Sequence, residues 1–187
     1  SIFLYLLLYT NQNSIMNKLF SETGLRWLWL TAILLIADQV TKQWVVSVFE
    51  LYQSKEILSF FNFTYVRNYG AAFSFLADQG GWQRWFFTAI ASVACVIFVY
   101  WLAKTPKENK LLGISFSLIL SGALGNLIDR SLFGYVIDFL DFHGEIFSWV
   151  LGSAHFPAFN VADSAIFIGA ALMIYESFVN PATDDKK

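Results

Sequence analysis

Two aspartates, Asp138 and Asp163, are the residues whose type and position best suit them for chemistry. Asp138 lies in Gly134-Tyr135-Val136-Ile137-Asp138-Phe139, just after an apolar segment ends. Asp163 lies in Phe159-Asn160-Val161-Ala162-Asp163, where another begins. The two segments are joined by one loop, so both acids fall at one depth and can meet. Two carboxylates sharing a site do not readily both ionise, and one keeps a proton. The charged one can then draw a proton from water while the neutral one protonates a substrate oxygen or amine. This chemistry needs neither a metal nor a nucleophilic side chain. Spacing alone leaves a second reading open, in which each acid simply caps or orients a helix end.

Other polar residues gather near the pair. Asn126 and Asp129 are one helical turn apart, as are Asn160 and Asp163, so each pair shares a helix face. The asparagines can orient the acids or hold a substrate backbone, or they can serve as interhelical hydrogen-bonding groups. Arg130 can pair with Asp129 or reach lipid phosphate. Asp38 and Lys42 are four apart, which suits a structural ion pair, and Lys42 can also snorkel. Cys95 sits mid-segment and reads as packing. His143 and His155 have no carboxylate or cysteine partners at ligand spacing, so neither a metal nor a cofactor is expected. No His/Asp set accompanies the serines, and no phosphate-binding glycine loop occurs.

The elements that must position these residues follow from composition. Of 187 residues, 57% are hydrophobic and only 14% charged; mean hydropathy is +0.54. An average soluble domain carries about 25% charged residues. Disorder and disulfide scaffolds are excluded by the apolar excess and the single cysteine. A net charge of −2 leaves no basic footprint for nucleic acid. Windows of about 20 apolar residues mark membrane spans, and four are expected, at about 27–49, 85–103, 111–130 and 156–179. The fold class is therefore an all-α polytopic membrane protein. Residues 17–180 form its single domain.

Lysine and arginine set the orientation. Lys18, Arg26, Lys104, Lys107, Lys110, Lys186 and Lys187 fall on one side, which places both termini in the cytoplasm. Segments 50–83 and 130–156 then face outward. Phe61-Asn62-Phe63-Thr64-Tyr65 alternates like a strand, Asn68-Tyr69-Gly70 signals a turn, and Ala71–Leu76 is again apolar. A small sheet at the outer membrane surface is expected. Residues 1–16 read as an upstream or expression-derived extension ahead of a natural start at Met16, and 181–187 as a polar cytoplasmic tail.

Four blocks in order carry a resemblance. Asp38-Gln39-Val40-Thr41-Lys42, Val66-Arg67-Asn68-Tyr69-Gly70-Ala71-Ala72-Phe73-Ser74, Gly122 through Arg130 followed by Gly134 through Phe139, and Phe159 through Asp163 resemble the motifs of the lipoprotein signal peptidase (signal peptidase II) family. The likeness covers about 17–180, and the stretch Gly144–His155 is longer than the family pattern. The resemblance implies an aspartic endopeptidase of the bacterial cytoplasmic (inner) membrane, with four helices, an outward β-sheet cradle and an active site on the periplasmic side. It implies cleavage of diacylglyceryl-modified prolipoproteins just before the lipidated cysteine. By the same likeness Asp138 and Asp163 are catalytic, Asn68, Gly70, Asn126, Asp129, Arg130 and Asn160 line the site or hold substrate, and Asp38 and Lys42 are structural. Substrate prolipoproteins and membrane phospholipid are the expected partners, and the enzyme is expected to act as a monomer.

Two other readings compete. A proton-coupled transporter also uses intramembrane carboxylates, but its relay should continue across the membrane, and Asp38 is the sole deep acid in the expected spans. A non-catalytic assembly factor binding lipid-anchored partners would tolerate Asp138→Asn, because the shape is nearly kept.

Overall fold

A computed structural model describes residues 12, 14–70 and 80–180. The expected extension through residue 11, the apolar run Ala71–Leu76 and the tail 181–187 lie outside the described residues. Four long helices carry the structure. They are α1 (Leu28–Val48), α2 (Trp82–Lys104), α3 (Lys110–Leu132) and, last in the chain, α5 (Val161–Val179). At 1.5 Å per residue each is about 30 Å long, the thickness of a bilayer core. α2, α3 and α5 are long and apolar enough to cross a membrane. α1 has the length but carries Asp38, Gln39 and Lys42.

The helices are built inside out relative to a soluble bundle. Asp38 and Lys42 are buried, while Ile36 on α1, Val96 on α2 and Phe167 on α5 point outward and are more than half exposed. α3 is the central element, with most of its middle covered by the others. Its glycines permit this. A Cβ at Gly122 would collide with the Ala162 carbonyl oxygen, and one at Gly125 would lie 2.5 Å from Asp38 Oδ2. Small residues thus let α5 and the Asp38 side chain approach the α3 backbone closely.

At one end of the bundle lies a three-stranded antiparallel sheet, in the order β1 (Ser54–Leu58), β2 (Phe61–Asn68), β3 (Val136–Phe142). β2 is the expected aromatic strand. Its partners were not legible as strands. β1 is exposed at every position and carries Lys55 and Glu56, as edge strands do. β3 is buried along most of its length although it contains Asp138 and Asp141. Val45 of α1 packs with Tyr65, Ile137 and Phe139 and ties the sheet to the helices.

β3 leads into a short helix, α4 (Glu145–Leu151), within the stretch Gly144–His155. The chain returns beside β3, where Phe139 and Leu140 donate to the Phe159 carbonyl. This pairing delays the last helix. The apolar run suggests a start near Phe156, but α5 begins at Val161, because Asn160 caps it from extended backbone. The Asn160 side chain accepts from the Asp163 amide, and the Asp163 carboxylate accepts from the Asn160 amide, a reciprocal capping box.

Candidate active site

That capping box is one edge of a polar cluster where α1, α3, β3 and α5 converge. Asn160 Nδ2 donates to Asp138 Oδ1 at 2.8 Å, while its backbone amide donates to Asp163 Oδ2 at 3.3 Å. One residue thus touches both acids. Asn68, at the end of β2, donates to Asp138 Oδ2 at 3.0 Å, and its own side-chain oxygen accepts from the Gly70 amide. Asn126 Nδ2 donates to Asp163 Oδ1 at 2.7 Å. Burial holds the Asp138 carboxyl far above the usual carboxylate range, at about 8, and the nearby charge of Asp163 adds to the rise.

A second cluster supports the first. Lys42 Nζ lies 2.8 Å from Asp38 Oδ2 and 2.9 Å from Asp129 Oδ2, and all three side chains are essentially inaccessible. Its third contact is Asn126 Oδ1, at 3.1 Å. An ammonium only donates, so it holds the amide oxygen of Asn126 and turns the amide nitrogen toward Asp163. The far oxygen of Asp38 accepts from the Ala162 amide in the first turn of α5. Asp129 accepts from the Ile137 amide, next to Asp138, and from Gln39. Every member of this cluster therefore ends one step from an acid. Sequence reasoning found the local Asp38–Lys42 pair but missed Gln39 and the link to Asp129. It also missed the 2.8 Å contact between His155 Nδ1 and Asp141.

A cavity of about 960 Å³ opens onto Asp163 between α2, α3 and α5. Asn68, Asn126, Arg130 and Asp163 line its polar end, and Ile90, Ile119 and Phe167 are among its apolar walls. Asp138 and Asn160 sit just behind this lining, bonded to Asn68 and Asn126 respectively. Asp129 does not face the cavity and instead completes the Lys42 cluster. Arg130 Nη2 donates to the Gly70 carbonyl at 3.0 Å, and its guanidinium lies over Phe87. Arg84, at the start of α2, donates to the last carbonyls of α3, at Arg130 and Ser131, and so fixes that helix end.

The chain is similar to known proteins over most of its length. The family described as Signal peptidase (SPase) II matches residues 30–179. The lipoprotein signal peptidase of Alteromonas mediterranea is 57% identical over 172 residues, covering 92% of this chain and 89% of that one. The lipoprotein signal peptidase of Shewanella amazonensis is 55% identical, covering 88% and 94%. A bacterial membrane enzyme solved by the in meso method at 2.3 Å has a TM-score of 0.71 and 32% identity, covering 85% of this chain and 91% of its own.

Proposed function

We propose that this chain, which belongs to the signal peptidase II family, removes signal peptides from lipoproteins by using Asp138 and Asp163 to activate water. The observation that carries the mechanism is the bridging of both acids, buried Asp138 and half-buried Asp163, by Asn160. Held this close, with Asp138 buried, the pair keeps one proton between them. The ionised oxygen takes a proton from the attacking water. The protonated one gives its proton to the carbonyl oxygen; the acid that took the water's proton then passes it to the leaving amine, while a diol hydroxyl returns a proton to the first acid as the C–N bond breaks. Asn126 and Asn68 fix the rotamers of the two carboxylates, and Arg130 presents a cation at the cavity's polar end.

The substrate is a diacylglyceryl-modified prolipoprotein, cut immediately before its lipidated cysteine. The apolar walls of the large cavity suit a helical signal peptide, and the acyl chains stay in lipid beside α2 and α5. The outer sheet clamps the extended peptide near the cysteine. In this reading α1 is a fourth span, because its charges face inward while Trp29, Ile33, Ile36, Val40 and Trp44 face out. Both termini are cytoplasmic, since Lys18, Arg26, Lys104, Lys107 and Lys110 cluster at the end away from the sheet. The acids then lie at the periplasmic side of the inner membrane.

The shared proton sets a pH dependence. Activity requires one proton on the pair, so kcat/KM falls as pH rises through about 8, where Asp138 gives it up. Stability changes in the same direction. An acid with a higher pKa folded than unfolded favours the folded state at acidic pH, and this advantage is lost as pH climbs to about 8. A pH–rate profile in detergent checks the first statement. A rate that still rises at pH 9 would exclude the shared-proton mechanism.

A further inference from the structure

The segment 156–158 has a cavity on each side. Phe156, Pro157 and Ala158 line the large cavity at the acids, and the same residues line a second one of about 470 Å³. Across from them the second cavity is bounded by Thr64 and Val66 of β2, by Asp141 of β3, and by Leu151, Ser153 and His155 at the exit of α4.

Strand β2 borders both cavities. Asn68 bonds Asp138 and lines the first cavity. Val66 pairs with Asp138 in the β2–β3 register and lines the second. Thr64 and Val66 line the second cavity and Asn68, two residues on, lines the first, so these three mark a track leading away from the acids, with a bulge between Phe63 and Val66. Arg67 and Tyr65, bonded to each other, occupy the other face. At the far end the character changes from apolar to polar. Asp141 is buried, accepts from Asn62 Nδ2 at 2.9 Å and lies 2.8 Å from His155 Nδ1. His155 is more than half exposed and opens this end to water.

We propose that the second cavity binds the residues of the lipoprotein that follow the modified cysteine, as an extended peptide passing beside segment 156–158 toward the Asp141–His155 pair. The proposal rests on the peptidase reading above. A substrate anchored by its signal peptide in the apolar cavity and by its acyl chains in lipid must lead its mature chain away from the membrane. The track along β2 starts at the acids and ends at water. Its polar lining offers the hydroxyls of Thr64 and Ser153 and the His155–Asp141 pair to a peptide backbone. Asp141 is the acidic group in this lining, and among the described residues no Lys or Arg contributes to it. The subsite therefore favours basic or hydroxyl-bearing residues over acidic ones just after the cysteine. The helix α4 forms part of its rim, which gives the long Gly144–His155 stretch a role in substrate choice.

The test uses two synthetic peptides with one signal sequence and a diacylglyceryl-modified cysteine. One ends at that cysteine as an amide, and the other continues for several mature residues. With the wild-type protein, KM for the long peptide should be lower by about fivefold or more, the worth of one net hydrogen bond. Placing Asp instead of Lys directly after the cysteine should raise it. Ser153→Trp, which narrows the cavity without touching the acids, should raise KM for the long peptide about fivefold more than for the short one. Equal KM for both peptides on the wild type overturns the subsite, whether or not Ser153→Trp folds. Equal effects of Ser153→Trp on the two peptides do the same. A wild-type protein that cleaves neither peptide removes the peptidase reading itself.

Discussion

Asp138→Asn and Asp163→Asn each abolish turnover, with rates at least about a thousandfold below wild type, the scale of losing a group that acts as part of a catalytic unit. An amide matches the carboxylate in shape but cannot exchange the proton that the mechanism passes between water, the two acids and the leaving amine. Packing changes little. At Asp138 the amide oxygen can still accept from Asn160, and one hydrogen bond, that from Asn68, is disturbed. At Asp163 an amide can still accept from Asn126. Both variants should therefore fold, as read by thermal unfolding in detergent. Because the acids work as one unit, the double variant should be no slower than either single variant. Folded variants with near wild-type rates would remove the two acids as the catalytic pair. Rates that multiply in the double variant would mean that the acids act separately.

Lys42→Met has the largest effect on stability. Lys42 is the one cation between two buried carboxylates, Asp38 and Asp129. Removing one member of a buried ion cluster costs about 3–5 kcal/mol, because the remaining charges are left uncompensated. That is a large share of the ~5–15 kcal/mol that holds a domain folded. The variant should accumulate poorly and unfold at a much lower temperature. Lys42→Arg should not rescue it, since a planar guanidinium does not replace an ammonium that meets three acceptors in a closed space. Combining Lys42→Met with Asp38→Asn and Asp129→Asn removes the unpaired charges and should recover most of the stability. If Lys42→Met alone is as stable as wild type, the cluster contributes little to the fold.

These two results separate what the sequence displays from what needs three dimensions. The long helices were legible because apolar length is a strong local signal, and the structure moves their ends by only a few residues. The start of α5 was misread because the apolar run from Phe156 continues through a segment that pairs with β3 before Asn160 caps the helix. β1 was invisible because an exposed edge strand has no buried face to impose alternation. The cluster followed the same rule. Asp38 and Lys42 lie one turn apart and read at once as a pair, whereas Asp129 reaches Lys42 from another helix. Gln39, adjacent to Asp38, bonds Asp129 in a way that no spacing pattern marks. The closeness of the two acids was legible because topology puts both at one end of the bundle, but their link through Asn160 depends on a helix cap whose geometry appears only in the fold.

The most direct test is cleavage by the purified protein. Wild type, Asp138→Asn and Asp163→Asn are each incubated with a diacylglyceryl-modified prolipoprotein and with the same precursor lacking the lipid. Products are read by gel shift and mass spectrometry. Wild type should cut the modified precursor alone, immediately before the cysteine, and neither variant should cut either precursor. Equal cutting of the unmodified precursor would contradict the lipid requirement. An uncut modified precursor, or full activity in both folded variants, would contradict the two-aspartate peptidase.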